Sequence, residues 1–208
     1  LGALLAWFRG TNFEKVGVIV TLWARSSPTF WTGILLLMVF VFWLGWFPAG
    51  GIRSVGAEFS GFWGKYFSWD FAYHVVLPML TGALYYLATP TLLMRNTMME
   101  ILNAEFIDVK RAEGLSVFNI MYKHAARNSI LPIVTVTALV AGKAIGGQLI
   151  IEVVFNWPGM GRAMVRAVNY NDYPVAMAAF FLMGTVVIFL NFMADLSYAY
   201  LDPRVSYE

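Results

Sequence analysis

Five charged side chains fall within one short stretch, Glu105, Asp108, Lys110, Arg111 and Glu113, and nowhere else does this chain concentrate charge so densely. Acids and bases at this spacing suit ion pairs along a helix and contact with a soluble surface. They do not supply the nucleophile, base and ligand set of an active site, and no catalytic residue is assigned. The other reactive groups are scattered. His74 and His124 lie far apart without ligand-like neighbours, and there is no cysteine, so thiolate metal sites and disulfides are excluded and no metal is expected. Lys143 and Gln148 lie deep in apolar sequence, where a charge costs at least a few kcal/mol unless paired or hydrated.

The elements that must position these groups belong to a membrane protein. Of 208 residues, 60% are hydrophobic, 17% aromatic and only 12% charged, whereas a soluble domain carries about 25% charged residues. The formal net charge of +2 forms no basic patch, which argues against nucleic acid. A spanning helix needs about 20 mostly apolar residues. Four segments meet that length: 28–47, 74–94, 129–151 and 174–194. Residues 1–8 read as the end of a fifth, and 16–24 as a short apolar piece closed by Arg25. A chain that opens inside an apolar helix is expected to lack an N-terminal part with at least one earlier span.

Orientation follows from the lysine and arginine bias of the connections. Arg95, Lys110, Arg111, Lys123 and Arg127 lie in the loop 95–128, and Arg9, Lys15, Arg25 and Arg204 fall on the same side. Arg53, Lys65, Arg162 and Arg166 fall on the other. This bias places loop 95–128 and the C-terminus in the cytoplasm. Trp46, Trp63, Trp69, Tyr73 and Trp157 gather near the opposite interface, as an aromatic belt does.

Within the charged loop, Leu102, Phe106, Val109 and Ala112 recur at helical spacing and predict one apolar face on a helix over 101–112. Asp108 and Arg111 are close enough to pair, and Gly114 stops the helix through a left-handed backbone conformation. A second short helix is predicted from Ser116 through His124 and Arg127 to Pro132. The residues fit two readings equally: a helix lying in the lipid headgroups, or an element presented to a soluble partner.

This segment resembles the cytoplasmic loop of ATP-binding-cassette (ABC) importer permeases, whose signature is E-A-A-x-x-x-G. In the dipeptide/oligopeptide branch the loop reads roughly Y-V-x-x-A-R-A-K-G-L-S and then R-H-A-x-R-N-x-x-x-P. Here it is Phe106-Ile107-Asp108-Val109-Lys110-Arg111-Ala112-Glu113-Gly114-Leu115-Ser116, then Lys123-His124-Ala125-Ala126-Arg127-Asn128 and Pro132. Glu152-Val153-Val154-Phe155-Asn156-Trp157-Pro158-Gly159-Met160-Gly161-Arg162 is similar to the branch's E-x-V-F-x-W-P-G-x-G-R turn, and Leu201-Asp202-Pro203-Arg204 to its L-D-P-R tail. Lys110 stands where the family usually has Ala, Asp108 at the Glu position of the general signature, and Glu113 where a basic residue is common.

The resemblance implies an all-α membrane protein, a polytopic helical bundle of the type I, MetI-like permease fold, truncated at its N-terminus. It further implies a coupling helix, with Glu105, Asp108, Arg111, Ala112, Glu113 and Gly114 seated on a separate ATPase. The implied partners are a second homologous permease, two ABC ATPase subunits that bind ATP and Mg, an extracytoplasmic solute-binding protein and the bilayer. No cofactor is expected on this chain. The implied solute is a di- or oligopeptide or a similar molecule.

Three features keep two readings each. Gly142, Gly146 and Gly147 suit either close helix packing or flexing beside a solute path that includes Lys143 and Gln148. Lys143 itself suits contact with a substrate carboxylate or an ion pair with an acid such as Asp195. The outer turn with Glu152, Trp157, Pro158, Gly159 and Gly161 suits a packed turn or a rim for the binding protein. An ion-gradient-driven carrier or channel is the rival function, and would require a carboxylate relay inside the spans. A membrane-anchored scaffold is a third possibility, which leaves the glycine-rich span without a purpose.

Overall fold

The computed structural model describes residues 1–57, 61–145 and 148–201, with the backbone alone at 131, 135, 138, 139, 141–145, 194, 195 and 197–201. Its elements are all helical among the described residues. In chain order they are α1 (Gly2–Trp7), α2 (Asn12–Ser26), α3 (Thr29–Leu36) continuing as the π-helix π1 (Leu37–Trp43), α4 (Gly61–Tyr66) and α5 (Trp69–Tyr86). Next come α6 (Ala88–Leu102), α7 (Glu105–Ala112), α8 (Val117–Asn119), the π-helix π2 (Ile120–Ala126) and α9 (Arg127–Ile145). The last three are α10 (Leu149–Val154), α11 (Met160–Asn169) and α12 (Tyr173–Leu201).

Two predicted spans are divided and a third is shortened. The segment 74–94 falls on two helices, because Pro90 has no amide proton to donate and its ring collides with the carbonyl four residues earlier. That carbonyl belongs to Tyr86, where α5 ends. The segment 28–47 is helical only to Trp43, and its second half is wound as a π-helix. The segment 129–151 is helical to Ile145 and again from Leu149. By length and hydropathy, 173–193 is long and apolar enough to cross a membrane as one helix; α2 with α3–π1, and α5 with α6, qualify only as pairs. Asp172 starts the long α12 by accepting the Val175 amide at 3.2 Å.

The described residues form two compact units, one from 1–26, 86–142 and 189–201, the other from 27–85 and 143–188. In the first, Gly2 lets α1 lie against α6 so closely that a Cβ there would overlap the Thr91 carbonyl. Glu14 of α2, almost fully buried, accepts from the Arg95 guanidinium of α6 and from the Gly10 amide at 2.6 Å. The core of this unit is Ala6, Met98, Ile107, Ile120 and Ala125. In the second unit Leu77, Ile151 and Phe155 form the core, with Leu36, Leu37, Phe40 and Val41 packed on it. Gly33 allows α3 to approach, since a Cβ there would lie 3.1 Å from Val154 and 3.2 Å from Phe155.

Candidate functional site

The predicted helix over 101–112 is two helices. α6 ends at Leu102 and the backbone turns extended at Ala104, so α7 begins afresh at Glu105. The new start changes which face is buried. Ile107 is 0% exposed and inserts among Ala6, Met98, Ile120 and Ala125, whereas Phe106 and Val109 of the predicted apolar face are 40% and 55% exposed. Leu102 belongs to α6 and Ala112 is exposed. The anchor of this helix is therefore Ile107, and the predicted apolar face points outward.

The helix is well terminated. Glu105 and Asp108 occupy its first turn and Lys110 and Arg111 its last, each sign opposing the partial charge of its end. Arg111 donates to Asp108 at 2.7 Å, as the three-residue spacing predicts. Beyond Ala112 the chain closes with Gly114 at φ +75°. The Gly114 amide donates to the Arg111 carbonyl at 3.0 Å and the Leu115 amide to the Lys110 carbonyl at 3.3 Å. These are the two bonds of a Schellman cap, and Leu115 packs against the core beside it. Nothing lies within 4 Å of a Cβ built on Gly114, so glycine is needed there for its backbone and not for space.

Glu105, Asp108, Arg111, Ala112, Glu113 and Gly114 are all exposed. They lie on a short rod held to its unit by a single buried isoleucine. Downstream, the Ser116 hydroxyl accepts the Asn119 amide at 3.3 Å and caps α8. The helical run then passes through π2 into α9. In an α-helix Ile120 and Ala125 would stand about 140° apart. Wider winding with i→i+5 bonds brings them toward one face, and both are buried in the same core as Ile107.

The turn over 152–162, expected on the outer side, is built around Glu152. Its backbone carbonyl accepts the Trp157 amide at 2.7 Å, and its carboxylate accepts the Arg162 amide at 2.6 Å, capping the first turn of α11. A Cβ on Gly159 would overlap the Glu152 carboxylate, and one on Gly161 would lie 3.2 Å from its Oε2. Both glycines therefore make room for this buried acid. Asn156 adopts φ +49°, a conformation asparagine tolerates better than most residues, and its side chain accepts from the Arg162 guanidinium. Phe155 is 1% exposed, and its carbonyl receives the Gly51 amide at 2.9 Å. Trp157 lies 5.8 Å from Phe71, ring to ring. Arg162 and Arg166 border a hollow of about 420 Å³ with Gly51, Asn156, Pro158 and Gly159.

Among the residues assigned to a solute path, Gly146 and Gly147 and the side chain of Lys143 lie outside the described residues, as do the side chain of Asp195 and the tail Asp202-Pro203-Arg204. Gln148 is half-buried at the start of α10, where its carbonyl accepts the Glu152 amide at 2.9 Å.

Sequence reasoning missed Ile107 and the role of Glu152. The Asn103-Ala104 break was the available signal for the first. The second had none, because a cap's recipient is not visible in a motif.

Comparison with known proteins places these features in a family. Residues 1–207 match the family described as binding-protein-dependent transport system inner membrane component. The chain is 37% identical over 182 residues to the oligopeptide transport system permease protein AppB of Bacillus subtilis, covering 88% of this chain and 55% of that protein. It is 32% identical over 219 residues to the dipeptide transport system permease protein DppB of Alkalihalophilus pseudofirmus, covering 99% and 65%. It is 32% identical over 222 residues to the dipeptide transport system permease protein DppB of Escherichia coli, covering 100% and 66%. The chain thus spans between about half and two thirds of the length of these relatives.

Proposed function

Because this chain belongs to the binding-protein-dependent transport system inner membrane component family, we propose that it is the transmembrane permease subunit of an ATP-driven ABC importer for di- or oligopeptides. It forms part of the translocation path and hydrolyses nothing itself. ATP and Mg are bound by two partner ATPase subunits, and a second homologous permease and an extracytoplasmic solute-binding protein complete the assembly. Loop 95–128 and the C-terminus face the cytoplasm. The peptide assignment draws on the oligopeptide and dipeptide permeases that the chain resembles.

The observation that carries this reading is α7. A lever must be stiff, exposed where it is pushed, and fixed where it transmits. α7 is charge-matched at both ends and closed by a Schellman cap, and it exposes Phe106 and Val109 between its ion pairs. Its one buried residue, Ile107, contacts the core shared by α1, α6 and π2. An ATPase groove that moves α7 therefore pulls on three helices at once.

The ion-driven alternative needs free carboxylates within the spans. Among the described residues the buried ones are Glu14 and Glu152, and both are engaged, by Arg95 and Gly10 and by the Arg162 amide. Lys143, Gly146, Gly147 and Gln148 remain the proposed path residues. The exposed Pro158 and the hollow beside Arg162 and Arg166 remain the proposed rim for the binding protein.

The chain has no cysteine of its own, so Asp108→Cys or Glu113→Cys gives it a single attachment point for a bifunctional crosslinker. In native membrane vesicles the expected product joins this chain to a nucleotide-hydrolysing subunit. No such product from either position overturns the docking reading. Gly114→Arg is expected to abolish uptake and weaken ATPase association while the chain still inserts, and normal uptake by that variant overturns it too.

A further inference from the structure

Beside α7, but not part of it, lies an open groove of about 760 Å³ that the transport reading leaves unused. Its apolar wall is made by Met94 of α6, Phe118 of α8, Ala126 of π2 and Ile130 of α9. Phe118 and Tyr122 stack in parallel, centroids 6.1 Å apart and planes 6° from coplanar, although they are 69% and 70% exposed. Two large aromatics ordered side by side in the open make a preformed apolar surface.

The polar edge of the groove is cationic. Lys123 and Arg127, four residues apart, both line it, and no carboxylate does. Neither cation has an ion pair among the described residues, in contrast to Arg95, Lys110 and Arg111, which are all paired. The hydroxyls of Ser116 and Tyr122 and the amide of Asn119 lie along the same groove. Arg127 is the first residue of α9, whose sequence turns apolar from Ile130, one turn further on. Position, shape and charge together describe the complement of an amphiphile: an anionic head at Lys123 and Arg127, and a hydrocarbon tail along Phe118, Met94 and Ile130. A soluble protein partner is disfavoured by size, since a stable protein interface takes about 20–30 residues a side. Basic pockets where helices leave the bilayer hold anionic headgroups by this combination of charge and apolar contact.

We propose that the groove formed by Phe118, Tyr122, Lys123, Arg127, Met94 and Ile130 is a binding site for one anionic phospholipid. Bound there, the lipid ties the start of α9 to α6 next to the segment that carries α7. The site is independent of which soluble partner seats on α7, so crosslinking at Asp108 and lipid binding fail or succeed separately.

The test uses the full-length chain in its purified transporter complex, with phosphatidylglycerol or phosphatidylcholine added in detergent and retained lipid counted by native mass spectrometry. Preferential retention of phosphatidylglycerol is expected. Each cation near an anionic headgroup is worth about fivefold in binding, so Lys123→Gln and Arg127→Gln should each weaken retention about fivefold and the pair about 25-fold. Lys123→Arg should retain binding, which separates lost charge from misfolding. Equal retention of both lipids, or an unchanged preference in the double variant, overturns the proposal. So does displacement of phosphatidylglycerol by millimolar inorganic phosphate, which would mark a simple anion site. A photocrosslinker at Phe118 is expected to capture lipid, and capture of a protein subunit instead also overturns it.

Discussion

Lys110 Nζ lies 2.9 and 2.8 Å from the two carboxylate oxygens of Glu113, so two residues that depart from the peptide-permease pattern satisfy each other. Each alone would place an unmatched charge on α7. Together they form an i,i+3 pair that keeps the lysine along the helix and add nothing to its net charge. The pair is substantially exposed, so its net contribution is small; a double-mutant cycle with Lys110→Ala and Glu113→Ala should give a coupling energy below about 1 kcal/mol. Exchanging the two, Lys110→Glu with Glu113→Lys, should leave ATPase association unchanged in a pull-down. Loss of association by the exchanged variant would show that the partner reads these charges individually.

Ile107 is the more costly position. Its side chain is wholly buried among Ala6, Met98, Ile120 and Ala125. Ile107→Ala leaves a cavity and should cost about 2–5 kcal/mol, and Ile107→Val about 0.5–1.5 kcal/mol. The functional consequence should exceed the thermodynamic one. On the proposed coupling role, a loosened α7 still touches an ATPase but no longer moves α1 and α6, so Ile107→Val should retain association and transport, whereas Ile107→Ala should retain association and lose transport. Measuring ATPase binding and solute uptake on the same preparations decides this, and equal loss of both would show that Ile107 serves stability alone.

The turn over 152–162 makes a prediction about a pair. Gly159→Ala pushes a methyl group into the Glu152 carboxylate and should destabilise the protein by about 1–3 kcal/mol, as overpacking does. Glu152→Ala removes the acceptor of the Arg162 amide and should cost about 1 kcal/mol, the usual value of a lost helix cap. Combined, the two changes should cost less than their sum, because the shortened side chain makes room for the methyl. Thermal unfolding of the two single variants and the double variant measures the difference. Strict additivity would mean that the two residues do not contact each other in the folded protein.

Much of this was legible in the residues. The shortage of charge, the long apolar segments and the charged stretch ending at Gly114 follow from composition and local rules, which act over a few residues and need no partner across the fold. The Asp108–Arg111 bond is of the same kind, since helical spacing alone brings the two side chains together. The division of 74–94 was also written locally, in Pro90, but continuous hydropathy masked it.

What the amino-acid order determined by itself is a helical membrane chain with a capped, charged helix between apolar segments, because backbone periodicity and glycine's freedom at positive φ operate within one turn. Which side of that helix is held, and why two glycines follow Trp157-Pro158 so closely, were decided only by tertiary structure. Ile107 is an anchor because Ala6, remote in sequence, and Met98 of the preceding helix close around it, and Gly159 is required because Glu152 folds back beneath it. Such contacts depend on the packing of distant segments, and no local pattern encodes the partner.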